Sequence, residues 1–214
     1  MKLLFFVLSL IFTFQLYGQE TQKQTFESPN LKECILKHKK VAILPFVATI
    51  SYRRPPKNYD EAQHAAEQKS LGTSLQNEMF TFLLTKKNNY TVDFQDVDKT
   101  NALMKKAGYY DKLDELTVDS IAKVLGVDAI IKCTYAFEKT SSEGGAIAKT
   151  ILFGGLGSKT ASGLLVMSIK NGADGEMIWR FSKTMDETVF SSASQLMERM
   201  MRKVSRNFPY EKPE

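Results

Sequence analysis

Only two cysteines, two histidines and one tryptophan occur among the 214 residues. Each scarcity removes a class of function. Cys34 and Cys133 are too few for a structural zinc site built from cysteines. Two readings of them stay open, a disulfide in an oxidising compartment or two buried apolar side chains, because sequence does not give the distance between their Cα atoms. His38 lies in Lys37-His38-Lys39-Lys40, where neighbouring positive charge disfavours protonation. His64 falls near the polar start of a long helical pattern. Neither has an H-x-x-x-H or H-E-x-x-H partner, so no metal site and no cofactor is expected. No sign of charge is in large excess. A net charge of +5 is compatible with an anionic envelope surface and too weak to argue for nucleic acid. Beyond the amino terminus no stretch reaches about 18 apolar residues, so no transmembrane helix is expected there.

What is present begins with the first 18 residues. Met1-Lys2 supplies a short positive start, Leu3 to Phe14 is an apolar run, and Gln15-Leu16-Tyr17-Gly18 ends it on a small residue. This is the pattern of a secretory signal peptide cleaved after Gly18. As a helix the run spans about 18 Å, against the roughly 30 Å of a hydrocarbon core. The expected location is periplasmic, with outer-membrane association as an extension of that reading. No cysteine follows the cleavage region, so lipid attachment there is not expected.

Three motif-like stretches fail on their spacing. Gly154 to Thr160 suggests a phosphate loop, but the glycine positions that motif needs are held by Ser158 and Phe153. Ser120-Ile121-Ala122-Lys123 matches S-x-x-K without a following S-D-N or K-T-G. Asp96 to Ala107 starts like a calcium loop, yet Asn101 stands where glycine is required and Ala107 where glutamate is. Capping of a helix by Asp96 or Asp98 accounts for that stretch better. No catalytic residue is assigned.

The apolar pattern alternates between strands and helices. Residues 19–30 read as a leader that continues to His38, followed by a domain over 39–210. Leu31 to His38 suits a short helix or turn. Val41 to Val47 is a strand covered on both faces, with Pro45 at its end or at a bulge. Ser51 to Tyr59, with Pro55-Pro56, is a loop. Asp60 caps a helix to about Lys86, whose Leu71, Leu75, Met79 and Leu83 form one stripe. Tyr90 to Phe94 is a short strand. Asp98 opens a helix to Ala107, stopped by Gly108, and Thr117 opens another to Leu125, stopped by Gly126. Asp128 to Phe137 alternates as a third strand. Gly163 to Ile169 and Met177 to Thr184 are two more, joined by Asn171-Gly172-Ala173-Asp174-Gly175. The last helix runs from about Ser191 to Phe208, with Ala193, Met197, Met200 and Val204 inward. Met197, Met200 and Met201 suit either an adaptable binding stripe or core packing. The expected fold is an α/β three-layer sandwich, one mixed five-stranded sheet with helices on both faces.

Two features are candidate interaction surfaces. Residues 144–162 interrupt the third and fourth strands with five glycines, no acid, and the apolar Ile147, Ile151, Leu152, Phe153 and Leu156. The segment is too long for a hairpin turn and too apolar for a solvated loop. It packs on its own domain, joins subunits or touches a membrane. On the last helix, Arg199, Arg202 and Arg206 lie away from the apolar stripe, as a solvated face or as a contact for anionic headgroups or a partner.

Val41-Ala42-Ile43-Leu44-Pro45-Phe46, then Leu125-Gly126-Val127-Asp128-Ala129-Ile130-Ile131-Lys132, then Asp174-Gly175-Glu176-Met177-Ile178-Trp179 occur in an order that resembles the curli-secretion-channel (CsgG-like) family and TolB N-terminal-like envelope proteins. The relatives include outer-membrane lipoproteins that assist polysaccharide export or peptidoglycan synthesis. The resemblance spans about Val41 to Phe208. It implies an α/β domain used for assembly, often in rings, with no catalytic residues to carry over. Two departures stand out: the acylated cysteine of many members is missing, and the only candidate for a membrane-inserted hairpin, 144–162, lacks a continuous alternating pattern.

The function expected is therefore that of a non-enzymatic envelope assembly or secretion-accessory protein, a homo-oligomer or a component of an envelope machine, with peripheral membrane contact as a further reading. Its competitors are an outer-membrane pore-forming subunit and an envelope hydrolase using carboxylates among Asp111, Asp114, Glu115 and Asp119.

Overall fold

The computed structural model describes residues 23–52, 57, 59–139, 161–187 and 193–212. The signal-peptide segment, the Pro55-Pro56 loop and the insert residues Ile147, Ile151, Leu152, Phe153 and Leu156 lie outside them. Among the described residues there are seven strands and five α-helices: β1 (Lys23–Glu27), α1 (Leu31–Lys37), β2 (Lys40–Ile43), β3 (Val47–Tyr52), α2 (Glu61–Thr85), β4 (Asp93–Phe94), α3 (Val97–Lys106), α4 (Val118–Leu125), β5 (Ala129–Lys139), β6 (Ala161–Asn171), β7 (Met177–Glu187) and α5 (Ala193–Val204). None of the described helices is long and apolar enough to cross a membrane.

The strands form one mixed sheet in the order β1-β7-β6-β5-β2-β4, with β3 also paired to β5. The expected parallel group is present: β2 runs parallel to both β4 and β5. The expected hairpin adds β6 and β7 antiparallel. The sheet has seven strands rather than five for two reasons. Residues 23–27, read as leader, pair antiparallel with β7. The apolar run from Val41 is not one strand, because Pro45 has no N–H for the ladder. The chain leaves β5 after Ile43 and rejoins it higher up, where Val47 to Tyr52 pairs with Thr134 to Lys139. The break is secured elsewhere: Phe46 N–H donates to the Gly72 carbonyl of α2 at 3.2 Å.

Helix α2 forms where its stripe predicts. Asp60 accepts from Gln63 N–H at 2.9 Å, and Leu71, Leu75, Met79 and Leu83 are fully buried. α2 and α5 cover one face of the sheet, over Val41, Ile43, Ile131, Cys133 and Tyr135. Met197, Met200 and Met201 are buried in that core, which decides between their two readings. α3 and α4 cover the other face over Ala42, Leu44 and Ile130. α3 is capped by Asp96, which accepts from Lys99 N–H at 3.0 Å; Asp98 lies inside the first turn. This second layer covers one end of the sheet. Further along the same face, Val47 and Leu164 are 39% and 41% exposed, and Ala136 beside Leu164 is exposed as well.

Candidate functional site

A polar cleft of about 530 Å³ opens where α1, the end of α4 and the β6–β7 turn meet. Helix α1 brings Asn30, Glu33, Cys34 and Lys37 to it; the chain after α4 brings Asp128; the turn brings Asn171 to Asp174. At its floor sits His38, 5% exposed, which ends α1 by donating its backbone N–H to Ile35.

Both imidazole nitrogens of His38 are engaged. Asn171 Nδ2 donates to Asp174 at 2.8 Å, which turns the Asn171 carbonyl oxygen toward the ring. His38 Nε2 therefore carries the proton and donates to that oxygen at 3.1 Å, leaving Nδ1 to accept from the Tyr210 hydroxyl at 2.8 Å. Burial pushes the Tyr210 phenol far up, so it stays a neutral donor. Asp128 Oδ2 accepts from the backbone N–H groups of Lys39 and Lys40 at 2.8 and 2.9 Å. Burial pushes its carboxyl up, but those two donors, together with the nearby Lys39 charge, outweigh it and hold it below the ordinary value. The turn can approach because Gly172 has no side chain: a Cβ there would lie 2.7 Å from the Asp128 carbonyl oxygen, which accepts the Gly172 N–H.

Chemically this arrangement ties three distant pieces of chain together. A Tyr–His–Asn chain does not relay protons here, because the Asn171 carboxamide that separates the imidazole from the Asp174 carboxylate neither takes up nor gives up a proton near neutral pH. Here the Tyr210 hydroxyl ends on the imidazole, and the Asn171 amide ends on Asp174. The two cysteines are both free thiols: Cys34 is half-buried at the cleft and Cys133 is buried in β5.

The carboxylates considered for a hydrolase are exposed or half-buried. Asp111 pairs with Lys69 at 2.7 Å, and Asp114 with Lys132 at 3.5 Å. Ser120 of the S-x-x-K stretch shares a hydrogen bond with Thr117 at 2.8 Å. His64 donates from Nε2 to the Ile50 carbonyl at 2.8 Å, and Gln68 accepts the Ile50 N–H, so α2 closes that point of the β3 edge. Among the described residues, no three metal-ligating side chains come together.

Of the arginines singled out on the last helix, Arg199 and Arg202 are exposed on α5, with Arg202 bound to Glu198 at 2.6 Å. Arg206 follows in a 3₁₀ turn, Ser205–Asn207, and is exposed at its foot. The sequence reading missed the cleft, and no local pattern announces it: Tyr210 and Asn171 lie 172 and 133 residues from His38.

No family model matches this chain, and no curated protein matches it significantly. Solved structures do. The chain is similar to the PelC dodecamer from Paraburkholderia phytofirmans at 9% identity, covering 90% of this chain and 99% of that one, with a TM-score of 0.40. It is similar to lipoprotein GNA1162 from Neisseria meningitidis at 12% identity, covering 78% and 96%, with a TM-score of 0.41. It is similar to the LpoB C-terminal domain from Salmonella enterica at 10% identity, covering 74% and 94%, with a TM-score of 0.36. Likenesses this distant carry no functional assignment.

Proposed function

We propose that this protein is a non-enzymatic, exported cell-envelope protein that serves assembly or secretion and associates with copies of itself. The observation that carries the non-enzymatic part is the cleft: its buried imidazole has both nitrogens taken by Tyr210 and Asn171, and its carboxylate Asp128 is held by two backbone donors. The amino-terminal apolar run from Leu3 to Phe14 supports export. The three sequence pieces that resemble the curli-secretion-channel family support an assembly role. So does the sheet face around Val47 and Leu164, which exposes apolar side chains that a second surface would cover.

The test is the absolute mass of the exported chain in solution, by light scattering after size exclusion. A discrete multimer is expected. A clean monomer at concentrations up to about 100 μM, where weak association with free energies near −5.5 kcal/mol would already show, overturns self-association and leaves an adaptor for another protein.

A further inference from the structure

Two outer strands of the sheet are closed off by the chain itself. At β3, α2 engages both backbone groups of Ile50. At the far end, β4 is two residues long, and the carboxy-terminal residues run beside the segment that leads into it. There Thr91 N–H donates to the Tyr210 carbonyl at 2.9 Å, and Lys212 N–H to the Asn89 carbonyl at 2.8 Å. At the other end, β1 has no such cover among the described residues. All five of its residues are exposed, and its strand partner there is β7 alone. Phe26 on this strand is 46% exposed.

The ladder with β7 decides which backbone groups of β1 stay available. Ser28 N–H donates to the Ile178 carbonyl at 2.9 Å, one step beyond the pairing of Glu27 with Trp179. Antiparallel alternation therefore turns the backbone groups of Gln24 and Phe26 toward β7, and those of Lys23, Thr25 and Glu27 outward. The outward positions are their own complement. Laid antiparallel on itself about Thr25, the strand sets Lys23 against Glu27 of a second copy, and Glu27 against that copy's Lys23. Every outward residue then meets another outward residue, and each such pair exchanges both backbone hydrogen bonds. The charge match has a use at Lys23, which inside the subunit lies opposite Lys183. Like charges in register are destabilising, and an opposite charge across the strand is stabilising. The same register places Phe26 diagonal to Phe26 of the second copy, a spacing that aromatic rings bridge, so the exposed ring gains apolar cover.

We propose that β1 is a self-pairing edge, through which two copies of this chain join antiparallel about a two-fold axis at Thr25 and run their sheets into one. This rests on the reading that the chain associates with copies of itself, and it names the strand that does so. A two-fold contact of this kind builds assemblies with an even number of chains.

The experiment compares the solution mass of the exported chain with that of Thr25→Pro, Lys23→Glu, and the swap Lys23→Glu with Glu27→Lys. Proline at position 25 removes an N–H that faces away from β7, so it spares the subunit's own ladder and blocks pairing on the outer side. Thr25→Pro is expected to halve the parent's mass. Lys23→Glu sets two pairs of like charges across the axis and is expected to raise the dissociation constant on the order of tenfold; the swap restores both pairs and is expected to return it to the parent's value. Within the subunit Lys23→Glu places an acid opposite Lys183, so lost association does not stem from a weakened β1. A multimer that persists unchanged in Thr25→Pro, or a parent with an odd number of chains, overturns this edge while self-association stands. A monomeric parent overturns both. Intact folding of each variant is read from Trp179, the single tryptophan, which is fully buried. Should Thr25→Pro fail that check, the charge variants decide: no loss in Lys23→Glu, or no recovery in the swap, overturns the proposal.

Discussion

Phe46 and Gly72 meet backbone to backbone, with the Phe46 N–H donating to the Gly72 carbonyl at 3.2 Å. Pro45 interrupts the ladder, and this contact lets the chain cross from β2 to β3 without leaving a buried donor unpaired. It requires that α2 carry no side chain there. A Cβ on Gly72 would fall on the Phe46 carbonyl oxygen, and neither partner is a side chain that can rotate away. Gly72→Ala gains up to about 1 kcal/mol of helix propensity, yet overpacking typically costs about 1–3 kcal/mol. The expected result is net destabilisation, read as a lower urea midpoint by Trp179 fluorescence. An unchanged or higher midpoint would show that α2 moves off the strand break at little cost.

Tyr210 and His38 tie the end of the chain to its beginning, so Tyr210→Phe should loosen both. The substitution keeps the ring, which packs on Phe208 with centroids 5.7 Å apart, and removes only the donor to Nδ1. A buried acceptor left unpaired costs about 1–3 kcal/mol. The loss should appear in urea unfolding, with the solution mass unchanged at temperatures where the variant is folded. If Tyr210→Phe unfolds as the parent does, water reaches His38 and the tie contributes little.

The layered architecture was legible because periodicity survives burial on one face. Leu71, Leu75, Met79 and Leu83 repeat every four residues, and Ala129, Ile131, Cys133, Tyr135 and Phe137 alternate along one strand; all of these are buried as that pattern requires. Strand count was not legible. Lys23 to Glu27 has no apolar alternation, since all five residues of this edge strand are exposed; its pairing with β7 is a tertiary event. The break at Pro45 was visible as a proline, but its consequence, a second strand on the same edge of β5, depends on Gly72 being opposite. Asp96 outcompeted Asp98 as the cap of α3 because the helix starts at Val97, a one-residue boundary that two neighbouring aspartates leave open. Nothing local could have joined His38, Asn171 and Tyr210.

Asp128 should make stability depend on acid pH. Its carboxyl sits below the ordinary value in the folded protein. A depressed folded value means that the contribution is full above the unfolded value, near 4, and fades as pH falls through the folded value. Asp128→Asn is therefore expected to be less stable than the parent at pH 7, with the two converging as pH falls below about 4. Urea midpoints measured across that range check the sign. Parallel curves at every pH would assign the acid sensitivity to other carboxylates.

The two free thiols should differ in reactivity. Cys34 is half-buried at the cleft, whereas burial in β5 pushes the Cys133 thiol far up and hides it from reagents. A chromogenic disulfide reagent is expected to titrate one thiol in the native protein and a second only in denaturant. Cys34→Ser should abolish the native reaction and leave the denatured one. Two unreactive sulfurs that appear only after reduction would mean that a disulfide forms in the exported protein.

The aspartates at 111 and 114 provide the sharpest separation of assembly from hydrolysis. Each meets a lysine on the surface, and exposed pairs of this kind contribute roughly 0–1 kcal/mol. The double variant Asp111→Asn, Asp114→Asn should unfold within about 1 kcal/mol of the parent and keep its solution mass. It should also restore whatever envelope defect deletion of the gene produces, as fully as the parent does. Asparagine keeps the shape and removes the ionisable oxygen that acid–base chemistry on a substrate needs. Normal folding and mass together with failed complementation would place chemistry at this surface and favour the hydrolase over assembly.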